Sequence, residues 1–507
     1  MDHFQAEQTA TVPVLIQGGM GVAVSDWRLA RAVSRRGHLG VVSGTALDTV
    51  LVRRLQRGDT DGSLRRAIAE FPFPEMADRI LERYFVPGGL GDDDSYAATM
   101  AMSQQPTIEQ TELVVLANFV EVFLAKDGHE GLVGINFLEK IQSPTLPSIY
   151  GAMLAGVDYV LMGAGIPKAI PGILDRLSDG LEVRMPLHVI DATADDVDDV
   201  SFSPAEFSSG EVPWLKRPKF LAIVASATLA TMLAKKASGH VDGFVIEGPT
   251  AGGHNAPPRG KTRLNSRGEP IYTDRDEVDL KAFRAIGRPF WLAGQYGSPE
   301  QLQHALRSGA AGVQVGTAFA FCQESGIDQD LKDEVIRRAK LGKLDVITDP
   351  LASPTGFPFK VLNLPGSASE SMEVTQRQRR CDLGFLRQAY RRPDGSIGWR
   401  CSAESVAAFV RKGGNEGETI GRKCVCNGLM ATIGLGQRRS GGARELPLVT
   451  SGNDVYQIVK FLPDADATGY HADDVIDRLL VSLPPSFHCL SRLRDSGPDR
   501  PGAPIAL

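Results

Sequence analysis

The chain has 507 residues, enough to bury one large core and carry a second, smaller region. Its 42% apolar and 23% charged residues are an ordinary soluble composition, and a net charge of -6 argues against nucleic acid or an anionic membrane as main partner. Six cysteines in this length exclude a disulfide scaffold and point to a reducing cytoplasm.

The N-terminal stretch MDHFQAEQTATVPVLIQGG carries an early Asp and Glu and lacks the apolar core of a signal peptide. From there, short apolar runs alternate with amphipathic segments, the pattern of a parallel sheet with crossover helices. The predicted strands are 12–17, 39–44, 132–137, 158–163, 219–226, 242–248, 289–294 and 311–316. Nearly every one ends in Gly, Ser, Gln or Asn before a helical stretch. Eight such units predict an α/β fold, a (β/α)8 TIM barrel over residues 1–345, with a doubly wound open sheet as the alternative. The apolar run Phe220–Ala234 is too short to span a bilayer and reads as a strand followed by a helix.

Two insertions interrupt the rhythm. Residues 57–130 are charged and read as helical, solvated surface, with acidic GDDD at 91–94. Residues 191–217 form a loop long enough to act as a lid or rim. Beyond 345 the rhythm stops, and residues 346–495 read as an irregular, partly helical C-terminal extension. The tail 496–507 reads as disordered.

The residues suited to chemistry sit at strand ends, where barrels build their active sites. QGGMG (17–21) can turn backbone N–H groups toward a ring or phosphate, and Asn136 offers an amide at the third strand's end. In EGPTAGGH, His254 follows Gly252 and Gly253, where an imidazole could exchange protons with a ligand. LAGQYG, with Gly294, and QVGT, Gln314 to Thr317, end the last two strands. Their amides, the Thr317 hydroxyl and a helix beginning near Ala318 suggest a phosphate cup.

PVLIQGGMG, GINF, EGPTAGGH, LAGQYG and QVGT, in this order over residues 12–330, resemble the nitronate monooxygenase family. These are FMN-containing barrels related to FabK- and PfaD-type enoyl reductases. The resemblance implies FMN as cofactor and a small-molecule substrate, with no nucleic acid or membrane partner; it leaves oligomeric state open. It places Gln17, Gly18, Gly19 and Met20 along the flavin ring, Asn136 and Glu247 in contact with the cofactor, and Gly252 and Gly253 close to it. Gly294, Gln314, Val315, Gly316 and Thr317 would hold the phosphate. His254 matches the active-site histidine. The implied reaction oxidises a nitronate or nitroalkane with O2 to a carbonyl compound and nitrite.

This chain departs from that pattern at three places. It has Glu247 where monooxygenases usually show Gln, Thr250 where they show Glu, and Gly18-Gly19 where they commonly show Ala-Pro. Glu247, VASATLA (224–230) and GGHNAPPRG are similar instead to the enoyl reductases. An NAD(P)H-dependent enoyl-thioester reductase is therefore the second expectation. A non-enzymatic flavin- or metal-binding assembly protein is the third.

In the extension, Cys381, Cys401, Cys424 and Cys426 lie within 46 residues, yet without the C-x2-C knuckles of structural zinc. They read as buried free thiols, with a metal site as the alternative, and Cys322 and Cys489 read as structural. SPTGFPFKV (353–361) resembles the segment that returns to the barrel mouth in nitronate monooxygenases. It reads either as a cover over the flavin or as a plain linker.

Overall fold

The computed structural model describes residues 12–99, 101–193, 198–370, 377–439 and 443–484. The expected tail 496–507 and Cys489 lie outside the described residues.

Eight parallel strands close a barrel: β1 (Leu15–Gln17), β2 (Leu39–Ser43), β3 (Val133–Leu138) and β4 (Tyr159–Gly163) form its first half. Three short strands follow outside the barrel: β5 (Val183–Pro186), β6 (Val189–Ile190) and β7 (Asp199–Phe202). The second half of the barrel is β8 (Lys219–Val224), β9 (Gly243–Glu247), β10 (Phe290–Ala293) and β11 (Gly312–Val315). β1 pairs with both β2 and β11, so the ring has no free edge. All eight are the strands expected from the apolar runs, and the fold is the (β/α)8 TIM barrel. Its interior is filled by Ile16, Leu39, Val41, Tyr159, Leu161, Leu221, Val245 and Trp291. Trp291 is fully buried and donates Nε1–H to the Pro13 carbonyl at 2.7 Å, which gives its one polar atom a partner at the barrel floor.

The 57–130 segment differs from the expected solvated insertion in one large part. The GDDD stretch is exposed. Helix Ile108–Lys126, however, is buried along most of its length and packs against helix Thr145–Leu154 and the back of the barrel. Its apolar residues fill nearly the whole circumference, as a helix covered on several sides requires.

Beside this helix lies a buried ionic cluster. Arg54 Nη2 is 2.9 Å from Asp26 Oδ2, and its Nη1 is 3.4 Å from Glu121 Oε2. Asp26 caps helix Trp27–Arg35 by accepting from Arg28 N and Leu29 N. Glu121 accepts from Trp27 N at 2.7 Å. One guanidinium thus joins a helix start to the long helix behind the barrel.

The extension is ordered where described, and it docks on the carboxyl ends of the strands. β12 (Val346–Asp349) and β13 (Phe359–Leu362) form an antiparallel pair. β14 (Gln388–Arg391) and β15 (Ile397–Arg400) form another, and β14 also pairs in parallel with β6. The 191–217 insertion therefore sits beside the extension: β7 pairs with β5, and Asp198 pairs with Arg391. Helix Ala472–Leu480 returns to the barrel's outer layer, where Arg36 meets Asp473 at 2.8 Å. No helix among the described residues is long and apolar enough to cross a membrane.

Candidate functional site

One cavity opens at the carboxyl ends of the barrel strands, where loops from both halves of the ring meet the extension. Gly18, Gly19, Met20, Asn136, Glu247, Gly252, Gly253, His254, Gly294, Gln314, Val315, Gly316 and Thr317 all line it. These are the strand-end residues singled out in the sequence, with Gln17 as the exception. Gln17 is fully buried inside the barrel, where its amide accepts from Val41 N at 3.1 Å and donates to Val41 O at 3.2 Å. Its side chain cross-links β1 to β2 and is not part of the cavity lining.

Gly19 is required by packing. A Cβ there would lie 2.3 Å from Asn136 Cβ, so any side chain would displace the amide. At Gly252 a Cβ would lie 2.9 Å from the Ser451 carbonyl carbon, so this glycine brings the β9 loop against the extension. The helix expected near Ala318 is only Thr317–Ala320, one turn, and adds little dipole to the cup.

His254 is fixed by the segment 353–361, which does return to the mouth. Its backbone bridges Phe359, the neighbouring Gly253 carbonyl accepts from Lys360 N at 2.9 Å, and Asn255 N donates to Pro358 O at 2.9 Å. The imidazole meets the Phe359 ring edge-on at 4.8 Å, and its Nε2 lies 2.7 Å from Ser353 Oγ. Ser353 Oγ is in turn 2.9 Å from Thr355 Oγ1. Burial pulls the His254 pKa down to about 4, so the ring is neutral at physiological pH.

Glu247, at the end of β9, is shifted the opposite way. Burial pushes its carboxyl up to about 8, which keeps it protonated at neutrality. Among the described residues, no lysine or arginine lines the cavity. Both groups are thus neutral between about pH 4 and about 8. For Glu247 the folded state holds a proton that the unfolded chain releases near its ordinary 4.5, so stability falls as pH rises through that window. The expected slope is up to about 1.4 kcal/mol per pH unit. Glu247→Gln should remove it, as read by urea denaturation of the apoprotein between about pH 7 and 8, above the range where the depressed His254 pKa gives an opposite slope; an unchanged slope would assign it to another group.

Many of the lining residues that sequence reasoning missed come from the extension. Phe385, Leu386, Val425, Cys426 and Leu429 roof the cavity. The loop 450–454 closes its far end: Gly253 N donates to Thr450 Oγ1 at 2.8 Å, Gly452 N to Thr317 Oγ1 at 2.9 Å, and Asn453 N to Thr250 O at 3.0 Å. The visible signal was PLVTSGNDV (447–455), an apolar run into a Ser-Gly-Asn turn of the same kind as the barrel's own loops.

The cavity suits a polar, ring-bearing ligand. Asn136 Oδ1, Gln314 Oε1, Ser451 Oγ and Asp454 Oδ1 are buried there and have no hydrogen-bond partner. Each such atom costs about 1–3 kcal/mol until something bonds to it. Four of them around one cavity, under an apolar roof, match a ligand with an apolar plane and hydrogen-bonding edges.

The four extension cysteines divide. Cys426 lines the cavity, whereas Cys381, Cys401 and Cys424 do not. Cys381 and Cys401 hydrogen-bond each other, which lowers the first thiol's pKa and raises the second's. Burial pushes Cys424 up to about 11. Among the described residues no three His, Cys, Asp or Glu side chains form a group able to hold a metal ion.

Residues 183–352 match the family model for nitronate monooxygenase, about a third of the chain. The match contains β8 to β11 and the Gly-Gly-His loop. A curated relative, the (3aS,4S,5R,7aS)-5-hydroxy-7a-methyl-1-oxo-octahydro-1H-indene-4-carboxyl-CoA dehydrogenase of Rhodococcus jostii (strain RHA1), is 31% identical over 141 residues. That is 28% of this chain and 34% of the relative, so the matched stretch spans about a third of the relative's length. Among solved structures, FabK from Thermotoga maritima is 17% identical with a TM-score of 0.35, over 72% of this chain and 76% of that one. Nitroalkane oxidase from Streptomyces ansochromogenes is 18% identical with a TM-score of 0.32, over 69% and 77%.

Proposed function

We propose, from the nitronate monooxygenase match and the cavity at the barrel mouth, that the protein is an FMN-dependent oxidoreductase acting on a small organic substrate. The reading rests above all on His254, an imidazole held neutral among four unpartnered polar atoms at the mouth of a barrel. Gly18 to Met20 and Asn136 would run along the ring, and Gln314 to Thr317 would hold the phosphate end. When bound, the flavin supplies the redox chemistry, and the protein supplies position and polarity.

Within that class the proposed reaction is oxidation of a nitronate or nitroalkane with O2 to a carbonyl compound and nitrite. A consistent hydrogen-bond chain has His254 Nε2–H donating to Ser353 Oγ and the serine hydroxyl donating to Thr355 Oγ1. Nδ1 then keeps its lone pair for an α-proton of the substrate. Glu247, protonated, offers an O–H donor to a substrate oxygen without adding charge. Phe359, Phe385 and Leu429 keep water from the reacting centre.

Glu247 also favours a second reading, an enoyl-thioester reductase using NAD(P)H, since a carboxyl at this position is one of the features by which the chain resembles those enzymes. Anaerobic mixing separates the two. Nitronate is expected to bleach the flavin absorbance of the holoprotein rapidly, and NADH and NADPH are not. Bleaching by pyridine nucleotide alone would replace the first reading by the second.

A further inference from the structure

The loop 450–454 lies at the end of the cavity where the β10 and β11 loops were expected to cup a phosphate. It brings a carboxylate rather than a cation. Asp454 is 9% exposed, hydrogen-bonds to Thr317 and leaves Oδ1 without a partner. A Cβ built on Gly297 would lie 3.3 Å from Asp454 Oδ2, and one on Gly452 would lie 2.8 Å from Thr317 Oγ1. Asp454 therefore bonds to one expected phosphate loop and lies close beside the other. Next to it, Ser451 is 3% exposed, and its hydroxyl also has no partner.

The described surroundings offer no compensating charge. Burial dominates at Asp454 and raises its pKa, and no lysine or arginine acts on the carboxyl. On the barrel side stands Tyr296, kept neutral by burial. Tyr470, whose hydroxyl donates to Ala318 O at 2.6 Å, and Cys322 are likewise held neutral by burial. Lys460, on the turn that Asp454 begins, points to Gln457 Oε1 at 3.4 Å.

We propose that Ser451 and Asp454 complete the phosphate end of the cofactor site, and that Asp454 meets the phosphate as the neutral acid, so that binding takes up a proton. This rests on the flavin reading above and specifies how the extension serves it. Two anionic groups in contact in a buried site cannot both stay ionised, because neither has water or a cation to offset the repulsion. One proton placed between them turns the repulsion into a charge-assisted O–H···O bond, with Oδ1 as the donor atom. The phosphate's second ionisation lies near pH 6, so above neutrality that proton comes from solvent.

FMN affinity should therefore weaken with rising pH, by about tenfold per unit between pH 7 and 8.5. The probe is fluorescence quenching of FMN, and of riboflavin, titrated with deflavinated protein. Riboflavin, which lacks the phosphate, should show only the shallower dependence that Glu247, titrating near 8, imposes on both flavins. Asp454→Asn is nearly isosteric; it should flatten the FMN profile to the riboflavin slope and tighten binding at pH 8.5, leaving riboflavin binding and the thermal midpoint unchanged. An equal FMN slope in the Asn variant would overturn the proposal, and so would equal slopes for FMN and riboflavin in the wild type. Failure of both flavins to bind at any pH would instead remove the flavin reading itself.

Discussion

Replacing His254 with alanine is expected to leave the flavin bound while slowing turnover by about 10²-fold or more. The cofactor contacts proposed here come from the strand-end loops and the loop 450–454, and His254 is not among those that would hold the ring or the phosphate. The imidazole is instead oriented by Ser353 and Phe359, both delivered by the extension. Flavin content read by absorbance and kcat read with a nitronate or nitroalkane should therefore separate. Loss of flavin with normal turnover of the remaining holoprotein would show that the side chain holds the cofactor. Ser353→Ala should reproduce part of the kinetic loss, since it removes the partner of Nε2 and leaves the ring itself in place.

The largest stability loss is expected at Arg54. Its guanidinium faces two buried carboxylates, Asp26 and Glu121, whose side chains are 3% and 4% exposed. Arg54→Met removes the only cation paired with Glu121 among the described residues and leaves both acids in a poorly hydrated place. Breaking such a cluster from one side costs about 3–5 kcal/mol, far more than the pair contributes over an apolar replacement. Burial already raises the Glu121 carboxyl, to about 7 with Arg54 present, so the variant should hold it protonated over a wider pH range. Urea denaturation measures the loss, and the exposed Arg184–Glu182 pair is the control, worth at most about 1 kcal/mol. A change of less than 1 kcal/mol at Arg54 would mean that the cluster stays hydrated.

What the sequence made legible follows from which forces are local. A parallel strand is buried on both faces and reads as a short apolar run, and so all eight barrel strands could be placed. Glycines and amides at the strand ends marked the barrel mouth for the same reason: the topology puts every such end on one face. The side of that ring a residue faces is less visible. Gln17 ends an apolar run as the other site residues do, yet it points into the sheet and bonds to Val41. Helix Ile108–Lys126 was hidden by the charged residues flanking it, although its own face is almost wholly apolar.

The extension was the least legible part. Its function depends on contacts between residues 197 and 135 positions apart, Gly253 with Thr450 and Thr317 with Gly452. No periodicity records such pairs. Asp454 shows the limit most clearly: in sequence it is one acid in a turn, and only the fold sets it against Thr317.

The central claim is that these separate loops and the extension clasp one flavin. The most direct measurement is the absorbance spectrum of purified, FMN-reconstituted protein after removal of free cofactor. The account predicts a yellow protein carrying one FMN per chain; a colourless protein after reconstitution with excess FMN would contradict it.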